Sequence, residues 1–181
     1  MINKVKTGLP GCYKLIPEVF QDKRGIFVKT FQSNNFLKLN LETDFREEYY
    51  SVSYKRVLRG LHFQMPPYDH VKVVYCVLGE VTDAVVDLRV GSPAYGKYHL
   101  FELNDKEPVF IYIPKGMAHG FYVTSETAIM MYKVSTVYSS EHDSGIRWNS
   151  LNIPWTDMNP VISSRDSAFI SFKSLESPFH Y

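Results

Sequence analysis

Cysteine is scarce in this chain: Cys12 and Cys76 are the only two among 181 residues. That excludes a disulfide framework and suits a reducing compartment. Cys76 sits inside the apolar run VKVVYCVLG, so it is expected to be a buried thiol. No apolar run approaches the roughly 18 residues of a membrane-spanning helix. The opening MINKVKTGLPGCY lacks the apolar stretch of a signal peptide, and a cytoplasmic chain is the expectation. Charge of one sign is also missing. Twenty Lys and Arg face nineteen Asp and Glu, giving a net charge of +1. No global field draws the protein to nucleic acid or an anionic membrane, so an anionic ligand must be gripped by local charges. There is no repeat, no low-complexity tract and little helical patterning.

Aromatic residues are abundant, with 13 Tyr and 12 Phe, and they favour strands or a site that stacks rings. Hydrophobic residues reach 45% and charged residues 22%, values of an ordinary globular chain. The length suits one domain over residues 1–181. Short strand-like runs follow one another between turn signals: 25–31, 49–63, 71–79, 81–90, 97–104, 109–114, 120–125 and 128–138. Gly79-Glu80 reads as a hairpin-type break, and Glu126-Thr127 as another break. The best helical candidate is 33–41, with Ser33 as N-cap. Beyond Trp148 the chain reads as irregular. Many strands and few helices predict an all-β barrel or sandwich, whose mouth can hold one small ligand.

Within that pattern, RGLHFQMPPYDHVKVVYCVLGEV (59–81) sets Arg59, His62, Gln64, His70 and Lys72 among apolar residues. Charged and imidazole groups are costly to bury unless paired or used. The segment resembles half of the metal motif of double-stranded β-helix proteins of the cupin type. Pro114-Lys115-Gly116-Met117-Ala118-His119 matches the core of their second motif. In the first, His62 is present, but Gln64 replaces the second histidine and Lys72 the carboxylate. An ammonium repels a divalent cation and an amide is a poor ligand, so no metal is expected. A cation at Lys72 suits a developing negative charge on a substrate instead.

Further motifs extend the likeness along the chain: F-x-D-x-R-G-x-F at 20–27, VLRGLHFQ at 57–64, K-x-V-x-x-V-x-G-E-V at 72–81, AVVDLR and GSPAYGK within 84–97, IPKGMAHGFYV at 113–123, MYKVSTVY at 131–138, GIRWN at 145–149 and S-x-R-D at 163–166. In this order and spacing the chain resembles the dTDP-4-dehydrorhamnose 3,5-epimerase family, metal-free enzymes acting on nucleotide-linked 4-keto-6-deoxy sugars. The resemblance implies a jelly-roll, cupin-like barrel with few short helices, usually a homodimer. It implies catalytic roles for His62 (general base), Asp166 (its orienting carboxylate), Lys72 (enolate stabilisation) and Tyr132 (acid on the opposite face). It implies substrate contacts at Arg59, His119, Gln64, Arg165 and Tyr138, the last at the nucleotide end. Arg24 and Phe27 match positions that reach the neighbouring subunit's ligand. Glu47 and Tyr49 stand where the family usually has glutamine and asparagine. An acceptor at Glu47 suits a ribose diol, as in dinucleotide sites, which points to a CDP-, GDP- or UDP-sugar.

The implied chemistry needs these residue types. A C4 ketone acidifies the protons on C3 and C5, and a histidine is a base poised near neutrality. A carboxylate on its other ring nitrogen fixes the tautomer. A cation near O4 holds the enolate charge, a tyrosine hydroxyl protonates the far face, and no cofactor is needed. The bland alternatives are a satisfied core histidine at His62, a solvated strand lysine at Lys72, core packing for Tyr132, turn roles for Asp166 and His119, and a peripheral His70. Two competing functions remain: a 3,4-ketoisomerase on the same scaffold, and a non-catalytic nucleotide-sugar-binding module.

Overall fold

The computed structural model describes residues 2–181. Alternating apolar positions build two antiparallel sheets that face each other. The first runs in the order β1 (Asn3–Lys6), β2 (Tyr13–Ile16), β10 (Phe110–Ile113), β7 (Lys72–Leu78), β12 (Thr127–Val134), β5 (Glu47–Tyr54). The second runs β13 (Asp143–Gly145), β6 (Leu58–Gln64), β11 (Met117–Val123), β8 (Glu80–Asp87), β9 (Tyr98–Asn104). A ribbon of β3 (Val19–Asp22) and β4 (Gly25–Val28) pairs with neither. This is the jelly-roll, cupin-like barrel expected. No helix among the described residues is long and apolar enough to cross a membrane.

Side chains two apart on a strand share a face, so each strand divides between layers. On β7, Val74 and Cys76 enter the central core with Val85, Phe121 and Met130, while Val73 and Tyr75 point outward. The outer face of the first sheet is covered by Phe36 and Leu41 of the helical segment. The outer face of the second is covered by the C-terminal tail through Trp148, Ile153, Trp155 and Phe179. That tail therefore has a packing role despite its irregular backbone.

Several sequence expectations need correction. Gly79-Glu80 does not close a hairpin: β7 and β8 lie in different sheets, and Gly79 carries the chain across. Its φ of +80° and the Thr127 carbonyl, 2.0 Å from where a Cβ would stand, require glycine there. The 49–63 run divides into β5 and β6 in opposite sheets, turning at Lys55–Val57, because its loose alternation hid the break. Helix α1 spans Ser33–Lys38, shorter than 33–41, and its N-cap is Gln32 with no side-chain cap bond; Ser33 is already helical. The strands β1, β2 and β3 carry no readable sequence pattern, since four residues give too little alternation.

Candidate active site

One end of the barrel interior is lined by polar side chains instead of apolar ones, and a break in strand register puts them there. Across β6 and β11, His62 pairs with His119 and Arg59 with Phe121. Between these pairs, Gly60 and Leu61 on β6 oppose the single Gly120 on β11, a β-bulge. Gly60 takes up the extra residue with φ +130°, and a Cβ on it would stand 2.6 Å from the Gly120 Cα. The bulge flips the alternation, so Leu58, Leu61 and Phe63 pack outward while Arg59, His62 and Gln64 line the interior.

The resulting cleft encloses about 340 Å³, a volume suited to a small ligand. Its wall includes Arg59, His62, Gln64, Lys72, His119 and Tyr132. Glu47, Tyr138 and Arg165 also line it. Asp166 lies behind His62: its Oδ1 is 3.0 Å from the imidazole Nε2, while its Oδ2 accepts the Gly60 N–H at 3.0 Å. It is buried in a one-turn helix, α2 (Ser164–Ser167), capped by the Ser163 hydroxyl. Burial opposes the charge on Asp166, but the nearby His62 ring, the Gly60 N–H and Ser163 hold its carboxyl well below the usual range. Burial pushes the His62 pKa down; Asp166 resists, and Lys72 and Arg165 add to the fall. The direction favours the neutral imidazole, the form that can accept a proton.

Lys72 is buried, 7% exposed, with one long contact of its Nζ to the His62 carbonyl at 3.5 Å. Burial lowers its pKa to about 8, opposed by Asp143 and Asp83. Tyr132 is buried too; its hydroxyl shares a hydrogen bond with Ser51 at 3.1 Å, and its ring stacks on Tyr49, centroids 4.8 Å apart. Burial pushes the phenol well up, so it stays protonated. His119 Nε2 meets Asp83 Oδ2 at 2.7 Å, both fully inside.

Other expected residues also make bonds within the chain. Gln64 accepts the Ser139 N–H at 2.7 Å and donates to the Tyr68 carbonyl at 2.8 Å, so its amide fastens the 135–143 loop to the wall. Glu47 accepts the Tyr138 N–H at 2.6 Å and anchors the same loop. Arg59 donates to Ser53 Oγ at 2.8 Å. Arg24 and Phe27 lie on the exposed β3–β4 ribbon and do not line this chain's cleft. His70 is not peripheral: it lines the cleft, with Nδ1 3.0 Å from Thr136 Oγ1. Ser51, Asp83 and Asp143 were missed, since nothing in their local sequence marks them among other polar strand positions.

The arrangement sets a neutral imidazole backed by a carboxylate, a buried ammonium and a protonated phenol around one small cleft. That set can move a proton and hold an oxyanion. A family model described as dTDP-4-dehydrorhamnose 3,5-epimerase matches residues 6–174. The enzyme of that name from Shigella flexneri is 40% identical over 168 residues, covering 91% of this chain and 93% of the relative. The crystal structure of dTDP-6-deoxy-D-glucose-3,5-epimerase from Legionella pneumophila, in complex with dTDP-4-keto-L-rhamnose, superposes with a TM-score of 0.95 at 32% identity, covering 100% of this chain and 99% of that one. The dTDP-4-dehydrorhamnose 3,5-epimerase from Bacillus anthracis, with TDP and PPi bound, gives 0.91 at 32% identity, covering 94% and 99%.

Proposed function

Because the chain belongs to the dTDP-4-dehydrorhamnose 3,5-epimerase family, we propose that it epimerises C3 and C5 of a nucleotide-linked 4-keto-6-deoxy sugar in deoxysugar biosynthesis. The observation that carries this reading is the His62–Asp166 pair, 3.0 Å apart, opening on the same cleft as Lys72 and Tyr132. His62 takes the proton from the carbon beside the ketone. Asp166 supports the imidazolium that forms. Lys72, charged below about pH 8, stabilises the enolate oxygen. Tyr132, held by Ser51, returns a proton to the opposite face and inverts the centre. Arg59, Arg165, His119 and Tyr138 grip the sugar nucleotide.

Glu47 supports a second reading at the nucleotide end. A carboxylate lining the cleft beside Tyr138 would accept from a ribose diol and favour a CDP-, GDP- or UDP-sugar. The homodimer belongs to the same proposal. The β3–β4 ribbon leaves Phe20 and Phe27 more than half exposed, which suits cover by a second copy whose cleft Arg24 and Phe27 would complete. A reducing, cytoplasmic setting agrees with two free buried thiols.

The test is turnover of matched dTDP- and CDP-4-keto-6-deoxyglucose with the product read by NMR. Inverted C3 and C5 with the ketone still at C4 is the expected outcome. A ketone moved to C3 would identify a ketoisomerase, and tight binding without turnover a binding module. Equal rates with both nucleotides would remove the reason for the Glu47 reading.

A further inference from the structure

The His62 Nε2 has two neighbours with opposite demands. Asp166 Oδ1, at 3.0 Å, is an acceptor and needs a proton on Nε2. Arg165, through a terminal guanidinium nitrogen 2.9 Å away, is always a donor and needs Nε2 bare. A neutral imidazole carries one proton, so only one neighbour is satisfied at a time. Donation from Arg165 requires the tautomer with its proton on Nδ1 and a bare Nε2. That tautomer is wrong for a base that leans on Asp166, where Nε2–H meets the carboxylate and Nδ1 is free to accept.

The two sides differ in how firmly they are held. Asp166 is buried and pinned by the Gly60 N–H at 3.0 Å. The Arg165 side chain is half exposed, 51%, at the cleft mouth. There it bridges Asp143 through one terminal nitrogen and Asp166 Oδ1 through Nε at 3.2 Å. The other groups facing His62 do not compete for Nε2. Lys72 contacts its carbonyl, Arg59 turns to Ser53, His119 is held by Asp83, and Phe169 presents a ring edge. A diphosphate offers a guanidinium more charge than these shared carboxylates do.

We propose that Arg165 is a ligand-released brake on the base: in the free protein it holds His62 in the Nδ1–H tautomer, and the diphosphate of an incoming nucleotide sugar draws it away and hands Nε2–H to Asp166. One proton leaves Nδ1 for solvent and one is taken up at Nε2, so no net proton is bound. The inference rests on His62 being the base. It makes Arg165 a positioning residue in the free protein as well as a phosphate contact in the complex. A protein in which water reaches the cleft then carries no competent base until the substrate's charged end is seated.

The experiment is nitrogen-15 NMR of imidazole-labelled protein, with His62 assigned by comparison with His62→Asn. Free protein is expected to show the Nδ1–H tautomer. Adding inorganic pyrophosphate, or dTDP, should convert it to Nε2–H. Arg165→Met should show Nε2–H without ligand, with KM raised roughly tenfold for the lost charge-assisted bonds. Arg165→Lys, too short to bridge all three partners, should keep most of the affinity yet release the tautomer. Nε2–H in the free wild-type protein, or no change on adding pyrophosphate or dTDP, overturns the proposal. The base reading is tested separately by deuterium exchange into the sugar: exchange without a tautomer switch removes the brake alone, and a switch without exchange removes the base.

Discussion

The role proposed for Lys72 implies an upper pH limit. Burial lowers its ammonium from the ordinary 10.5 to about 8, so in the proposed role it would cease to hold the enolate as pH rises through that value. The kcat/KM profile should fall above about pH 8. Lys72→Met should be slower by about 10²-fold or more, with that alkaline limb gone. The same shift has a stability sign. Between about pH 8 and 10.5 the unfolded chain binds a proton that the native one does not, so this group adds stability as pH rises. Denaturant titrations of wild type against Lys72→Met should show that gain in wild type only. Asp166→Asn should lower kcat by about 10²- to 10⁴-fold at nearly unchanged KM. An equal rise in KM would show that the carboxylate holds substrate instead. Lys72 was legible as a cation in a run too apolar to carry a solvated one. The Asp166 contact was not legible, because 104 positions of chain separate it from His62 and only the fold closes that gap.

Gly60 matters at the scale of elements because the bulge in β6 decides which face each polar residue takes. A Cβ there meets the Gly120 Cα at 2.6 Å with the backbone at φ +130°. Gly60→Ala should therefore cost about 2–4 kcal/mol, read as a drop in Tm of about 4–16 °C. A drop below 2 °C would mean that the two strands can part without consequence. Strict alternation cannot reveal such a bulge: Arg59 and His62, three apart, are expected on opposite faces of a regular strand. Long strands such as β8 and β12 were readable from their apolar spacing. The sheet crossings were not, since Gly-containing breaks look alike whether the chain turns back or moves to the other sheet.

The β3–β4 ribbon raises the question of what covers it in the whole molecule. Light scattering should find twice 21.0 kDa in solution. Phe27→Asp should weaken the dimer and lower activity together, because the partner's cleft would lose that edge. A fully active monomer would refute the dimer. Proton transfer at His62 is read out by deuterium wash-in. Wild type incubated in heavy water with dTDP-4-keto-6-deoxyglucose should incorporate deuterium at C3 and C5, and His62→Asn should incorporate none. Undiminished exchange in His62→Asn, or no exchange in wild type despite binding, would remove His62 as the base.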